Sequence, residues 1–164
     1  MERSINIFLV EDSEMYSLSL ENSLKNIGNY RLNTYTTAEE ALSHLYLNPD
    51  LIILDYFLPG LNGVAALKKF EEEKPGIPVI ILSAQDEIQV VLDLLHAGAY
   101  DYIIKNKFTT DKLFHSIQRI LSTNTIRFEN TYLRAENKKF KIWFLLLAIF
   151  ALAEMILFFM ATRE

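Results

Sequence analysis

Short apolar runs alternate with helical patterns along the first 121 residues of the chain. The runs are four to six residues long, a length that favours β-strands over helices. The five runs that predict strands cover Ile5–Val10, Tyr30–Tyr35, residues 51–54, residues 77–82 and Asp101–Ile104.

The segments between these runs predict helices. Two less regular ones cover residues 13–27 and 63–73. Gly98 follows the fourth segment, where a helix C-terminus favours glycine, and Thr109 is the predicted N-cap of the fifth, with Phe108 and Leu113 at staple positions. The patterns with the helical spacing i, i+3, i+4 and i+7, or close to it, are Ala38, Ala41, Leu42 and Leu45; Ile88, Val91, Leu92 and Leu95; and Leu113, Ile117, Ile120 and Leu121.

Apolar strands that alternate with amphipathic helices are typical of a parallel sheet covered on both faces. We therefore predict an α/β domain over residues 1–121, with a doubly wound, five-stranded parallel sheet. Folds of this class bind ligands beyond the carboxyl ends of their strands. The residues that end each predicted strand are the candidates for a functional site.

Polar and charged side chains lie at four of these five strand ends. They are Glu11 and Asp12 after the first strand, Asp55 after the third, Ser83 after the fourth, and Tyr102 and Lys105 at the fifth. Three neighbouring carboxylates repel one another, so a divalent cation is expected between them, and oxygen ligands with retained waters favour Mg²⁺. A carboxylate can attack phosphorus, and Mg²⁺ with a lysine stabilises phosphoryl transfer. Any one of these residues alone is better explained as a solvated strand end, but the whole set predicts a site.

The same residues resemble the pattern of response-regulator receiver domains of two-component systems. The resemblance covers residues 4–121 and rests on Glu11-Asp12, Asp55 within LIILDYFLPGLNG, Ser83-Ala84 and Tyr102-Ile-Ile-Lys105. It implies the flavodoxin-like receiver fold. It also implies that Asp55 accepts a phosphoryl group from a sensor histidine kinase or a histidine phosphotransfer protein.

The resemblance also implies roles for the residues around Asp55. The implied Mg²⁺ ligands are Glu11, Asp12, Asp55 and the backbone carbonyl of Phe57. Ser83 matches the hydroxyl that turns toward the phosphate, Lys105 matches the family's cation, and Tyr102 matches the aromatic switch.

Two positions depart from the family pattern. Glu11 stands where aspartate is common, which keeps the charge and adds a methylene group. Asn106 follows Lys105 where the family usually has a proline in a cis peptide. A cis bond before a non-proline residue costs about 2.5–4 kcal/mol, so we expect a different backbone there. Neither departure removes a reacting group.

A separate apolar stretch covers residues 142–161 and contains one charged residue, Glu154. A helix of this length spans about 30 Å, the thickness of the hydrocarbon core of a bilayer. Trp143 and three preceding lysines lie at one end, as at a cytoplasmic membrane interface. We predict a single-pass transmembrane helix that holds a cytoplasmic receiver at the cell membrane. A buried helix of the folded core is the alternative, but this stretch has no polar face.

Glu154 lies within this predicted span, where a carboxylate costs about 2.5–3.5 kcal/mol at the bilayer centre. It is therefore expected to be protonated, to reach an interface, or to contact a membrane protein or a second copy of the chain. The N-terminus shows no signal-peptide pattern, because Glu11 and Asp12 interrupt the first apolar run.

The net charge differs in sign between the predicted domain and the segment that follows it. Residues 1–121 carry a net charge of −7, which argues against nucleic-acid binding, and residues 122–141 carry +3. The basic segment is predicted to be a linker close to anionic lipid headgroups. Its heptad-spaced residues Ile126, Leu133 and Phe140 leave a short coiled coil as the alternative. The chain has no cysteine, which excludes disulfide scaffolds and thiolate zinc sites.

These features predict a membrane-tethered receiver that catalyses only its own Mg²⁺-dependent phosphorylation and dephosphorylation. No residues are left over for a DNA-binding output domain, so we expect its output to pass through protein contacts. The alternative is an interaction module that binds at the membrane independently of phosphorylation. A phosphatase with an aspartate nucleophile would need a second aspartate where Phe57 stands.

Overall fold

The computed structural model describes residues 4–123, in which strands and helices alternate. The strands are β1 (Ile5–Val10), β2 (Tyr30–Tyr35), β3 (Leu51–Asp55), β4 (Val79–Ser83) and β5 (Asp101–Ile104). The helices are α1 (Glu14–Ile27), α2 (Ala38–Ser43), α3 (Gly63–Glu73), α4 (Ile88–His96) and α5 (residues 109–123), with a 3-10 turn at Leu45–Leu47.

The five strands form one parallel sheet in the order β2-β1-β3-β4-β5. This confirms the predicted α/β fold with a five-stranded parallel sheet. The chain moves outward from β1 in both directions, so the loops that follow β1 and β3 diverge. A cleft at the carboxyl ends of these two strands is the consequence.

Both faces of the sheet are buried. Phe8 and Val10 alternate along β1 with Ile7 and Leu9, and all four are fully buried. Successive side chains of a strand point to opposite faces, so apolar contacts cover each side. The face of Phe8 belongs to a core cluster whose helical members include Ala41, Phe70 and Leu94, from α2, α3 and α4.

Side-chain caps start the three helices that follow β1, β2 and β3. Ser13 accepts a hydrogen bond from the Tyr16 amide, Thr37 from the Glu40 amide, and Asn62 from the Ala65 amide. Such caps satisfy amides that have no partner within the helix. The cap at Ser13 makes α1 begin directly after the acidic pair that ends β1.

The boundaries of β4 differ from the prediction by one or two residues. The strand begins at Val79 and not at residue 77, because Pro78 has no amide hydrogen for the ladder. The carbonyl of Pro78 still accepts a hydrogen bond from the Ile52 amide at 3.0 Å. β3 extends to Asp55 and β4 to Ser83, so both polar residues are the last residues of their strands.

The apolar residues whose spacing predicted α4 are mostly not the ones that the helix buries. Ile88, Leu92 and Leu95 are 75%, 43% and 41% exposed, whereas Leu94 is fully buried. The helix packs on the core through Val90, Leu94 and Ala97, which also have helical spacing. Because most positions of this segment are apolar, periodicity could not distinguish the two faces.

The predicted N-cap of α5 is wrong. Thr109 already lies inside the helix, and its hydroxyl oxygen accepts a 2.7 Å hydrogen bond from the amide of Asn106. The Asn106 side chain accepts a hydrogen bond from the Phe108 amide instead. Phe108 is 52% exposed and Leu113 is fully buried, and the predicted staple contact between them stays a prediction.

Within residues 4–123, no helix is both long enough and apolar enough to cross a membrane. The predicted transmembrane helix (142–161), Glu154 and the basic linker from residue 124 onward lie outside the described residues.

Candidate functional site

Parallel pairing brings the ends of four strands to one edge of the sheet. Glu11 directly follows β1, Asp55 ends β3, Ser83 ends β4, and Lys105 directly follows β5. In the ladders Asp55 pairs with Leu82, and Ser83 pairs with Ile104. The predicted strand-end residues are therefore neighbours in space.

The three acidic residues form one cluster. Glu11, Asp12 and Asp55 each offer a carboxylate oxygen, and these three atoms lie within 4.8 Å of one another. Glu11 and Asp55 are only 2% and 4% exposed, whereas Asp12 is exposed. The cluster therefore has two carboxylates inside the protein and one at the surface, where it is accessible to solvent.

Lys105 bridges the two buried carboxylates. Its ammonium nitrogen lies 2.7 Å from Glu11 Oε2 and 3.0 Å from Asp55 Oδ2. Burial alone would lower the pKa of Lys105, but its hydrogen bonds to the two carboxylates and their charges raise the pKa above its usual value. The lysine is therefore a permanent cation beside Asp55.

The electrostatics of Glu11 differ from those of an exposed carboxyl. Burial raises the pKa of Glu11, the hydrogen bond from Lys105 opposes this change, and the negative charge of Asp55 adds to it. The single ammonium of Lys105 balances one of the three carboxylate charges of the cluster, which leaves two negative charges without a counterion there. A divalent cation with oxygen ligands fits both that charge and the donor set, which suits Mg²⁺.

The loop after β3 lies close to Asp55. The amide of Phe57 donates a 3.3 Å hydrogen bond to Asp55 Oδ1, which fixes the carboxylate relative to this loop. The amide of Gly63 donates to the Tyr56 carbonyl at 3.0 Å, and a Cβ at Gly63 would lie 2.9 Å from Tyr56 Cα. Glycine at position 63 thus lets α3 start against the loop backbone. The predicted metal contact of the Phe57 carbonyl stays a prediction.

Ser83 and Tyr102 both bind the backbone of Gln85. Ser83 Oγ accepts a 3.0 Å hydrogen bond from the Gln85 amide, and the Tyr102 hydroxyl donates a 2.7 Å hydrogen bond to the Gln85 carbonyl. Ser83 is fully buried and Tyr102 is partly buried. The two residues predicted to act as a switch are connected through one residue of the loop between β4 and α4.

The backbone after Lys105 contains no cis peptide, and none occurs elsewhere in residues 4–123. Asn106 uses the amide that a proline would lack, since it donates to the Thr109 hydroxyl oxygen at 2.7 Å. The Thr109 hydroxyl in turn donates to the Asn106 carbonyl at 2.7 Å. A local hydrogen-bonded turn therefore holds the segment that carries Lys105.

Sequence reasoning missed two residues at this site, Tyr16 and Gln85. The ring centroid of Tyr16 lies 4.6 Å from Lys105 Nζ, and Gln85 makes the contacts with Ser83 and Tyr102 described above. The position of Tyr16 just after the acidic pair was the one signal in the sequence. Gln85 makes both hydrogen bonds through its backbone, so its residue type gives no indication of them.

Comparison with known proteins agrees with this arrangement. The family model of the response regulator receiver domain matches residues 7–118. The regulatory protein AtoC of Escherichia coli (strain K12) is 30% identical over 135 residues, which cover 79% of this chain and 28% of AtoC. The chain thus spans less than a third of the length of this relative.

Solved structures show the same fold. A putative response regulator from Chloroflexus aurantiacus has a TM-score of 0.67 and 30% identity, covering 73% of this chain and 99% of that one. NtrX from Brucella abortus has a TM-score of 0.71 and 28% identity, covering 80% of this chain and 30% of NtrX. Both likenesses cover more than two thirds of this chain.

Proposed function

Since the chain belongs to the family of response-regulator receiver domains, we propose that Asp55 accepts a phosphoryl group in two-component signal transduction. The observation that carries this proposal is the position of Asp55. Its carboxylate is buried, lies close to those of Glu11 and Asp12, and forms an ion pair with Lys105 at 3.0 Å. The donor would be the phosphohistidine of a sensor histidine kinase or of a histidine phosphotransfer protein. In that transfer the phosphorus–nitrogen bond of the donor breaks and a phosphorus–oxygen bond to Asp55 forms.

The residues around Asp55 have separate tasks in this reaction. Glu11, Asp12, Asp55 and the Phe57 carbonyl would hold Mg²⁺, which supplies positive charge to the phosphoryl oxygens when bound. Lys105 is already 3.0 Å from Asp55, so its ammonium can contact a phosphoryl oxygen after a small movement. Ser83 Oγ can donate to another oxygen once it releases the Gln85 amide.

The output of this reaction is proposed to pass through protein contacts of the loop and helix that follow β4. Gln85 belongs to the segment that leads into α4, whose exposed side chains include Ile88 and Leu92. A change at Ser83 would reach this surface through Gln85. Phosphorylation would then alter how a partner protein binds there.

Tethering to the cell membrane is a further part of the proposal and rests on the sequence alone. The twenty-residue stretch 142–161, apolar except for Glu154, and the preceding basic segment support a single membrane span with the receiver in the cytoplasm. A phosphorylatable domain held there would encounter membrane-bound kinases by diffusion in the plane of the bilayer.

Phosphorylation of the full-length chain in detergent tests the proposed activity. With Mg²⁺ and acetyl phosphate, transfer releases acetate and adds one phosphoryl group, which intact-mass measurement detects. Lys105→Ala should slow this gain, whereas Lys25→Ala, which breaks an exposed pair on α1, should leave it unchanged. A wild-type chain that gains no mass in the presence of Mg²⁺ would instead favour an interaction module that works without phosphorylation.

A further inference from the structure

Tyr16 lies beside the cation of the site, although its hydroxyl makes no hydrogen bond with Asp55. Lys105 Nζ is 4.6 Å from the centroid of the Tyr16 ring. A lysine ammonium within about 6 Å of an aromatic centroid is attracted by the negative face of the ring. The ammonium therefore has three partners, which are Glu11, Asp55 and the Tyr16 ring.

The position of Tyr16 is fixed by α1. The Ser13 cap accepts the Tyr16 amide and starts the helix at Glu14. Residues at i and i+4 lie on the same face of a helix, and Leu20 and Leu24 of this face are buried. Tyr16 is thus the first member of the inward stripe of α1, at the end closest to the acidic cluster.

Lys105 needs such a partner because its surroundings change during phosphoryl transfer. Before transfer two carboxylates hold the ammonium, at 2.7 and 3.0 Å. When an oxygen of Asp55 becomes bonded to phosphorus, the ammonium has to move from the Asp55 carboxylate to a phosphoryl oxygen while Glu11 continues to attract it. The Tyr16 ring attracts the ammonium without carrying a charge, so it does not compete with a phosphoryl oxygen as a third carboxylate would.

We propose that Tyr16 is a positioning residue for Lys105, whose aromatic face keeps the ammonium beside Asp55 while the phosphoryl group is transferred. This inference rests on the proposed function of Asp55. Burial raises the pKa of Tyr16, so the ring is a neutral phenol at neutral pH. The ring face and not the hydroxyl carries the effect, which makes Tyr16→Phe the matched control for Tyr16→Leu.

The first measurement requires no phosphorylation. Protons over an aromatic face are shifted upfield, so the ε-methylene signals of Lys105 should be upfield in the wild-type chain and in Tyr16→Phe. They should return to ordinary lysine values in Tyr16→Leu. Ordinary values in the wild-type chain would show that the contact does not exist in solution and would overturn the inference, whether or not Asp55 is phosphorylated.

The second measurement is the initial rate of phosphorylation by acetyl phosphate at saturating Mg²⁺, with the full-length chain. We expect Tyr16→Phe to match the wild type and Tyr16→Leu to be roughly 3- to 10-fold slower. Tyr46→Leu removes a tyrosine that is 70% exposed and serves as the control for a general effect of such a change. Equal rates in Tyr16→Leu and Tyr16→Phe would overturn the inference.

A third set of variants guards against loss of folding in Tyr16→Leu. Phenylalanine, 4-fluorophenylalanine and 3,4,5-trifluorophenylalanine at position 16 keep the packing volume nearly constant while the negative charge of the ring face decreases. The rate should fall at each step, and a constant rate would contradict the proposal. If the wild-type chain is not phosphorylated at all, the proposed function fails, and the lysine signals alone decide whether Tyr16 holds Lys105.

Discussion

The hydroxyl groups of Ser83 and Tyr102 bind opposite ends of the same peptide segment at Gln85. Ser83 accepts from the Gln85 amide at 3.0 Å, and Tyr102 donates to the Gln85 carbonyl at 2.7 Å. If Ser83 turns toward a phosphoryl group on Asp55, the Gln85 amide loses its acceptor. Of these two side chains, Tyr102 alone would then still bind the Gln85 backbone, so movement at Ser83 and at Tyr102 should be coupled.

This coupling predicts the behaviour of the Gln85 amide. Ser83→Ala removes its acceptor, and a hydrogen bond of this kind is worth about 0.5–1.5 kcal/mol, so hydrogen exchange should be roughly 2- to 10-fold faster. Tyr102→Phe should also accelerate exchange in this loop, whereas Tyr46→Phe should not. Unchanged exchange at Gln85 in both Ser83→Ala and Tyr102→Phe would contradict the proposed connection.

The acidic cluster predicts stabilisation by Mg²⁺. A ligand present at about 100 times its Kd stabilises a folded protein by about 2.7 kcal/mol, so the melting temperature should rise by roughly 5–10 °C. Chelation of the metal should reverse the shift. Asp12→Ala removes one of the three carboxylates and should reduce it to less than half.

The control for that experiment is Glu72→Gln, which neutralises an exposed carboxylate of α3 outside the acidic cluster. It should keep the full Mg²⁺-dependent shift. A full shift in Asp12→Ala as well would show that the cation binds elsewhere.

The close contact of Gly63 with the Tyr56 backbone predicts that a larger residue at position 63 affects both stability and metal binding. A methyl group at this position would lie 2.9 Å from Tyr56 Cα, and backbone cannot move aside as a flexible side chain can. Gly63→Ala should therefore destabilise the fold by about 1–3 kcal/mol and weaken Mg²⁺ binding, because it displaces the loop that carries Phe57. Both quantities can be read from unfolding curves with and without Mg²⁺.

Gly76→Ala is the matched control for this variant. Gly76 has a positive φ of 80°, but a methyl group added there would meet no atom within 4 Å, so alanine costs roughly 1–2 kcal/mol through backbone conformation alone. Its Mg²⁺ affinity should equal that of the wild type. A Gly63→Ala chain that binds Mg²⁺ as tightly as Gly76→Ala would exclude the proposed role of the Phe57 loop.

The proposed membrane span predicts resistance to alkaline carbonate. The full-length chain should stay with the membrane fraction after the wash. Replacing Leu146 and Leu147 with arginine should release it, since each charge costs about 2.5–3.5 kcal/mol near the bilayer centre and less toward its edge. Arginine at Thr125 and Thr131, outside the apolar stretch, should leave it bound. Release of the wild-type chain by carbonate would rule out the span.

The sheet and the acidic cluster could be predicted from sequence because they depend on local patterns. Each apolar run defines a strand, and parallel pairing then brings Glu11, Asp55 and Ser83 to one edge whatever the details of packing. The face of α4 could not be predicted in this way. Apolar residues occupy both sides of that helix, and contact between Leu94 and the core decides which side is buried.

The contacts within the site could not be predicted for a different reason. The Tyr16 ring meets Lys105 because the fold brings the start of α1 close to the residue that follows β5, and the position of Tyr16 after the acidic pair is only a weak sign of this contact. The hydrogen bonds that connect Ser83 and Tyr102 use the backbone of Gln85, so any residue type except proline could make both contacts at that position. Such features follow from the folded geometry.

The site of phosphorylation tests the central claim most directly. The full-length chain is treated with Mg²⁺ and acetyl phosphate, digested, and its peptides are analysed by mass spectrometry. We predict one base-labile phosphoryl group, located on Asp55, and no modification of the Asp55→Asn chain. A phosphoryl group that persists in Asp55→Asn, or that maps to another residue in the wild type, would contradict the account.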